Sequence, residues 1–147
     1  MTATNTGSVQ LTRKRVIIFA SALIGFAVLG FFLSRPQSQV ALINVQETQR
    51  RAVSDSTVVL DVRTPSEFAS GHIANSLLIP VQELEQRIAE LEPYRDKTII
   101  AYCRSGNRSG VAAGILGNHG YAAVNMEGGI IQWRKEDLPL VTVEEQK

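Results

Sequence analysis

Thr98-Ile99-Ile100-Ala101-Tyr102 is followed by Cys103-Arg104-Ser105-Gly106-Asn107-Arg108-Ser109, and then by Gly110-Val111-Ala112-Ala113-Gly114-Ile115-Leu116. The first five residues are an apolar, partly β-branched run that predicts a buried strand. Val111, Ala112, Ile115 and Leu116 share one face at helical spacing, which predicts a helix closing at Gly117 or Gly120. Working outward, Thr57-Val58-Val59-Leu60 behind Ser54-Asp55-Ser56 reads as a second buried strand ending at Asp61. Thr64 caps a short helix that starts at Pro65, runs through Ala69 and stops at Gly71. Leu77–Ile79 is a brief strand closed by Pro80, and Leu84, Ile88 and Leu91 mark an amphipathic helix ending near Pro93. Upstream, Val40–Ile43 is a short apolar run, and Asn44 with Glu47 starts a capped helix reaching about Val53. Downstream, Tyr121–Val124 is a last strand and Ile130–Trp133 begins a last helix. Strands alternating with helices imply an α/β fold whose parallel sheet is covered on both faces, with ligands beyond the carboxyl ends of the strands. Cys103 stands at such an end.

The chain has 147 residues, 44% of them hydrophobic and 20% charged, which excludes disordered and collagen-like classes and leaves room for one folded domain. Its single cysteine excludes an internal disulfide, a Cys-x-x-Cys pair and a thiolate-rich zinc site. The net charge of +1 gives no reason to expect a nucleic-acid partner. It does hide an asymmetry, since Arg13, Lys14, Arg15 and Arg35 are the only charges in residues 1–35, so acids outnumber bases beyond them. Between Val16 and Leu33 lie 18 uncharged residues, VIIFASALIGFAVLGFFL. As a helix these extend roughly 27 Å at about 1.5 Å per residue, close to the thickness of a bilayer core. A cleaved signal peptide shares the basic-then-apolar order, but no clean small-x-small site follows, so an uncleaved anchor is expected. The resulting layout is a basic tail (1–15), a transmembrane helix (16–34), a linker (35–39), a domain (40–141) and a C-terminal tail (142–147). The basic tail predicts a single-pass membrane protein with a cytoplasmic N-terminus and a periplasmic or otherwise extracytoplasmic domain, although Arg35, Arg50 and Arg51 weaken the asymmetry.

Small and polar residues between a strand end and a helix start let successive backbone N–H groups converge into an anion-binding nest. Arg104, Arg108 and the helix terminus are influences that hold a cysteine as thiolate, whereas a structural cysteine has apolar neighbours. Acyl transfer would need a histidine partner, and neither His72 nor His119 lies in a recognisable protease signature. Cysteine-based phosphate-ester cleavage uses a similar cradle and is the chemical rival.

Cys103 to Ser109 resembles the active-site loop of the rhodanese, or thiosulfate sulfurtransferase, family. Asp61-Val62-Arg63, Glu67-Phe68, Gly71-His72-Ile73 and Ile79-Pro80 resemble the segment before that loop, and Gly128-Gly129, Trp133 and Pro139 the end of the domain. Cysteine-dependent phosphatases, and the phosphatase-like relatives of rhodanese, carry an arginine six positions after the cysteine; here it falls five after, at Arg108, and the shorter loop suits sulfur better than a phosphoryl group. The resemblance implies a five-stranded parallel sheet with helices on both faces. It implies a two-step transfer through a Cys103 persulfide, from a small anionic donor such as thiosulfate to a thiol, cyanide or protein-cysteine acceptor, with no metal or organic cofactor. Arg104, Ser105, Gly106, Asn107, Arg108 and Ser109 would bind the substrate, with Arg104 facing the donor and Arg108 either helping the thiolate or folding back on the loop. Asp61, Arg63, Glu67 and His72 would support the site, the first two through an ion pair with Glu67 or contacts to the loop backbone. His119 is expected in solvent and Trp133 in the core. Asp137 stands where the family often has glycine, so an altered C-terminal turn is expected. A sulfur carrier or a sensing module with little turnover is the alternative function.

Overall fold

The computed structural model describes residues 40–144. Five strands, β1 (Ala41–Ile43), β2 (Thr57–Asp61), β3 (Leu77–Leu78), β4 (Thr98–Tyr102) and β5 (Ala122–Met126), form one parallel sheet in the order β1-β5-β4-β2-β3. The helices are α1 (Val45–Arg51), α2 (Pro65–Ala69), α3 (Asn107–Asn118) and α4 (Gly129–Lys135), with a 3₁₀ helix at Ile88–Tyr94. Side chains alternate across β4 as the pleat requires. Ile99, Ala101 and Cys103 point into a core shared with Leu84, Leu91, Ala112 and Leu116, while Ile100 and Tyr102 join Val45, Ile130 and Trp133 on the other face. From β2 the chain leaves toward the β3 edge, and from β4 toward β5. The loops after these neighbouring strands therefore part in opposite directions, and a crevice opens at their carboxyl ends.

The capping expectations hold: Asn44 Oδ1 accepts from Glu47 N–H at 2.8 Å, and Thr64 and Glu67 form a reciprocal capping box at the start of α2. Of the run Val40–Ile43, Ala41–Ile43 pairs with β5 as the edge strand β1. Two readings are corrected. The segment around Leu84, Ile88 and Leu91 is a series of turns leading into the 3₁₀ helix, not an α-helix, with three-residue bonds such as Glu83 N–H to the Pro80 carbonyl and Glu90 N–H to the Arg87 carbonyl. Leu84, on the turns before the 3₁₀ helix, and Leu91, three residues after Ile88 within it, are still buried, since residues three apart share a face under the tighter winding. Val111 is 60% exposed; the inner face of α3 is Ser109, Ala112, Ala113 and Leu116. At the turn after α4, Asp137 takes the left-handed conformation itself, φ +51°, with Asp137 N–H on the Arg134 carbonyl and Leu138 N–H on that of Trp133, the Schellman pattern. Trp133 is buried as expected and donates its indole N–H to the Pro139 carbonyl at 3.0 Å. The transmembrane helix expected at 16–34 lies outside the described residues; among those described, no helix is long and apolar enough to cross a membrane.

Candidate active site

Strand β4 delivers Cys103 to the crevice, and Gly106 lets the chain turn at once into α3. Gly106 is the residue before the helix and has φ +106°, a conformation that favours glycine. The turn aims its own N–H at Cys103 Sγ, 3.2 Å away, and the Ser109 hydroxyl lies 3.4 Å from the same sulfur. Cys103 is only 1% exposed. Burial pushes its thiol up, but the Ser109 hydroxyl and the amides of Ser109, Ser105 and Gly106 outweigh burial and hold it below its ordinary value. The anion is thus supported by fixed donors of the turn.

A second strand end holds the turn in shape. Asn125, buried on β5, donates from Nδ2 to the Gly106 carbonyl at 3.0 Å and accepts the Ser109 hydroxyl on Oδ1 at 2.6 Å. Ser109 has one proton for three acceptors, Asn125 Oδ1, the Gly106 carbonyl and Cys103 Sγ. From the other side, Ile130 N–H and Ile131 N–H at the start of α4 donate to the Cys103 and Arg104 carbonyls at 2.9 and 3.1 Å. That approach requires Gly129: a β-carbon there would fall 2.5 Å from the Cys103 carbonyl oxygen.

The charged residues sort into pairs that differ from the expected ones. Asp61 and Arg63, 0% and 3% exposed, bind each other, with Arg63 Nη2 on Asp61 Oδ2 at 2.6 Å and also on the Gly71 carbonyl at 2.9 Å. Glu67, expected as a partner of that pair, instead takes Arg108 in a two-point bond, 2.8 Å at each oxygen, across 41 positions of sequence. The Arg108 bond, assisted by the Thr64 amide and hydroxyl, holds the Glu67 carboxyl at about 2 against partial burial. Arg108 therefore straps the start of α3 to the start of α2, and its charge still bears on Cys103. Arg104, Ser105 and Asn107 are exposed. His72 is buried, stacks on Phe68 at 3.6 Å between ring centroids and bonds the Phe68 carbonyl through Nδ1 at 3.0 Å, which makes it a support of the fold and not a base at the sulfur. His119 is exposed as expected. Among the described residues, no group of three or more His, Cys, Asp and Glu side chains is placed to hold a metal ion.

The sequence gives Asn125 no site role, and it gives Gly129 only as half of the Gly128-Gly129 pair that resembles the end of the family's domain. A polar residue just past an apolar run is the usable sign for Asn125, which lies inside β5, one residue beyond the strand end that the sequence predicts at Val124. For Gly129 only the doubled glycine hinted at a close approach.

Residues 44–136 match the family model described as rhodanese-like domain. The chain belongs to the rhodanese-like domain family. A sulfurtransferase of Allochromatium vinosum is 39% identical over 98 residues, covering 66% of this chain and 90% of that protein. The thiosulfate sulfurtransferase PspE of Escherichia coli is 37% identical over 71 residues, covering 48% of this chain and 68% of that protein. The crystal structure of a rhodanese-related protein from Thermoplasma volcanium superposes with a TM-score of 0.64 at 40% identity, over 69% of this chain and 97% of that one. The rhodanese-like α/β fold is thus shared with a solved rhodanese-related protein, and the sequence with proteins named as sulfurtransferases.

Proposed function

We propose that the protein is a membrane-anchored sulfurtransferase that carries a sulfane sulfur on Cys103. The observation that supports it most is the ring of fixed donors on Cys103 Sγ, the Gly106 amide at 3.2 Å and the Ser109 hydroxyl at 3.4 Å, on a sulfur held below its ordinary pKa. In the first step the thiolate attacks the outer sulfur of thiosulfate or a similar donor. A new S–S bond forms to Cys103, the donor's S–S bond breaks, and sulfite leaves with the electron pair. Arg104, exposed at the rim, attracts the donor. In the second step a thiophilic acceptor takes the outer sulfur and the electron pair returns to Cys103. Arg108 sits five residues after the cysteine with both terminal nitrogens held by Glu67, which favours sulfur over a phosphoryl group as cargo. Intact mass measurement after thiosulfate treatment tests the reading. One added sulfur is expected on the wild-type chain and none on Cys103→Ser, whose hydroxyl keeps the turn but is not ionised at neutral pH. A wild-type chain that gains no sulfur refutes it. Loading without release to any thiol or cyanide would instead favour the carrier role.

The anchor is the uncharged run from Val16 to Leu33 behind Arg13-Lys14-Arg15, with the domain on the extracytoplasmic side. Protease added to intact spheroplasts should digest the domain. Digestion only after lysis would reverse the topology.

A further inference from the structure

Eight arginines lie among the described residues, and six are paired with acids: Arg50 and Arg51 with Glu47, Arg63 with Asp61, Arg87 with Glu83 and Glu90, Arg95 with Glu92, and Arg108 with Glu67. The side chains of the other two, Arg104 and Arg134, have neither an acid nor a hydrogen-bond partner among the described residues. These two line the same hollow of about 350 Å³, with Ser70, Ile130 and Ile131 as its other free walls. Arg63 and Glu67 also border it, but each is already neutralised by its partner. The hollow therefore carries two uncompensated positive charges.

Cys103 is not among the lining residues, but the hollow's wall is joined to the cysteine's turn through the backbone. Ile130 N–H and Ile131 N–H are bonded to the Cys103 and Arg104 carbonyls, so the α4 wall is tied to the reactive turn. Arg134 lies three residues beyond Ile131, on the same side of α4. Its guanidinium reaches the turn at Gly71, within 3.7 Å of where a β-carbon on that glycine would sit. A five-atom anion such as thiosulfate takes on the order of 150 Å³ if each heavy atom occupies a water's share of about 30 Å³. More than half the hollow would stay empty. Ile131, 40% exposed, offers the remaining space an apolar surface.

We propose that this hollow seats the sulfur acceptor, and that the acceptor is a small thiol whose carbon skeleton carries carboxylates. Arg104 and Arg134 hold the carboxylates, Ile131 meets the aliphatic part, and the thiolate faces Cys103. The inference rests on the persulfide reading above. The acceptor thiolate attacks the outer sulfur of the Cys103 persulfide, the bond between that sulfur and Sγ breaks, and the pair returns to Sγ, leaving acceptor persulfide and Cys103 thiolate. No outside oxidant or reductant enters.

The test uses the full-length protein loaded with thiosulfate and then given mercaptosuccinate, which carries two carboxylates, or thioglycerol, which carries none. Arg134→Ala should raise KM for mercaptosuccinate about tenfold more than KM for thioglycerol, and Arg134→Lys should recover part of that difference. Succinate, which lacks the thiol, should compete with mercaptosuccinate more strongly than with thioglycerol. Equal changes for both thiols in Arg134→Ala, or a wild-type enzyme with no preference for mercaptosuccinate, overturn the proposal. Failure to load sulfur is seen before any acceptor is added; it overturns the persulfide reading and this proposal with it.

Discussion

Gly129→Ala places a methyl group between α4 and the reactive turn. At φ +57° its β-carbon would lie 2.5 Å from the Cys103 carbonyl oxygen and 2.6 Å from both the carbonyl carbon and oxygen of Arg104, where real contacts do not fall below 3.0 Å. All three atoms are backbone, so the turn and the helix must part by about 0.5 Å or more. Forcing an L-residue into the left-handed region costs about 1–2 kcal/mol. Stretching the bonds from Ile130 and Ile131 costs about 1 kcal/mol each, while a stiffer unfolded chain gives back roughly 0.4–1 kcal/mol. The net loss is about 2–4 kcal/mol, or roughly 10–20 °C in Tm for a domain of this size. The chain should stay folded at 25 °C, since domains hold about 5–15 kcal/mol in reserve. The displaced amides should also support the thiolate less well, so the pH at which iodoacetamide modifies Cys103 should rise. Gly114→Ala is the control, because nothing lies within 4 Å of its β-carbon position in α3 and alanine should raise Tm there. A Gly129→Ala protein with wild-type Tm and an unchanged alkylation profile would refute the claim that this glycine sets the geometry of the turn.

Removing the Ser109 hydroxyl tests the other side of the sulfur. Ser109→Ala deletes a donor that lowers the Cys103 pKa, so alkylation at mildly acidic pH should slow severalfold while the rate at high pH is kept; equal rates at all pH values would count against the hydroxyl. Glu67 makes an acid-sensitive link. Its carboxyl is held at about 2 when folded against 4.5 as the reference, so the stabilisation is complete above about 4.5 and disappears as pH falls toward 2. Because both side chains are 30% exposed, the pair is worth about 1 kcal/mol after screening. Glu67→Gln should therefore melt below the wild type at pH 6 and converge with it near pH 2, and a gap that persists in acid would disprove the assignment.

Most of the layered fold was legible because its signals are local. The β-branched runs at Thr57–Leu60 and Thr98–Tyr102, the caps at Asn44 and Thr64, and the polar turn after Cys103 each depend on neighbours a few residues apart. Around Leu84 the apolar positions mark burial but not winding, since the step of three from Ile88 to Leu91 fits an α-helix and a 3₁₀ helix alike. Long-range choices were hidden. Nothing in the spacing says that Glu67 prefers Arg108, 41 positions away, to Arg63, two positions from its own acid. Asn125 became visible only through register, which sets it opposite Ala101 on β4 and so beside the turn that follows.

The pairing of the acids bears on the reaction. Asp61 and Glu67 both lie at the crevice, where a bare carboxylate would oppose a second anion. Each is matched by its own arginine through two or more bonds, a geometry that a passing anion does not displace. What the sulfur meets is then the turn's fixed amides and the Ser109 hydroxyl, which need no rearrangement when charge arrives. In the proposed cycle Cys103 alternates between thiolate and ionised persulfide, and both carry one negative charge. The same donors can serve both states, and the Ser109 proton can turn from Asn125 to the sulfur as charge gathers there. A site of this kind needs extra positive charge only to recruit its reactants, and the two unpaired arginines stand where that recruitment would occur.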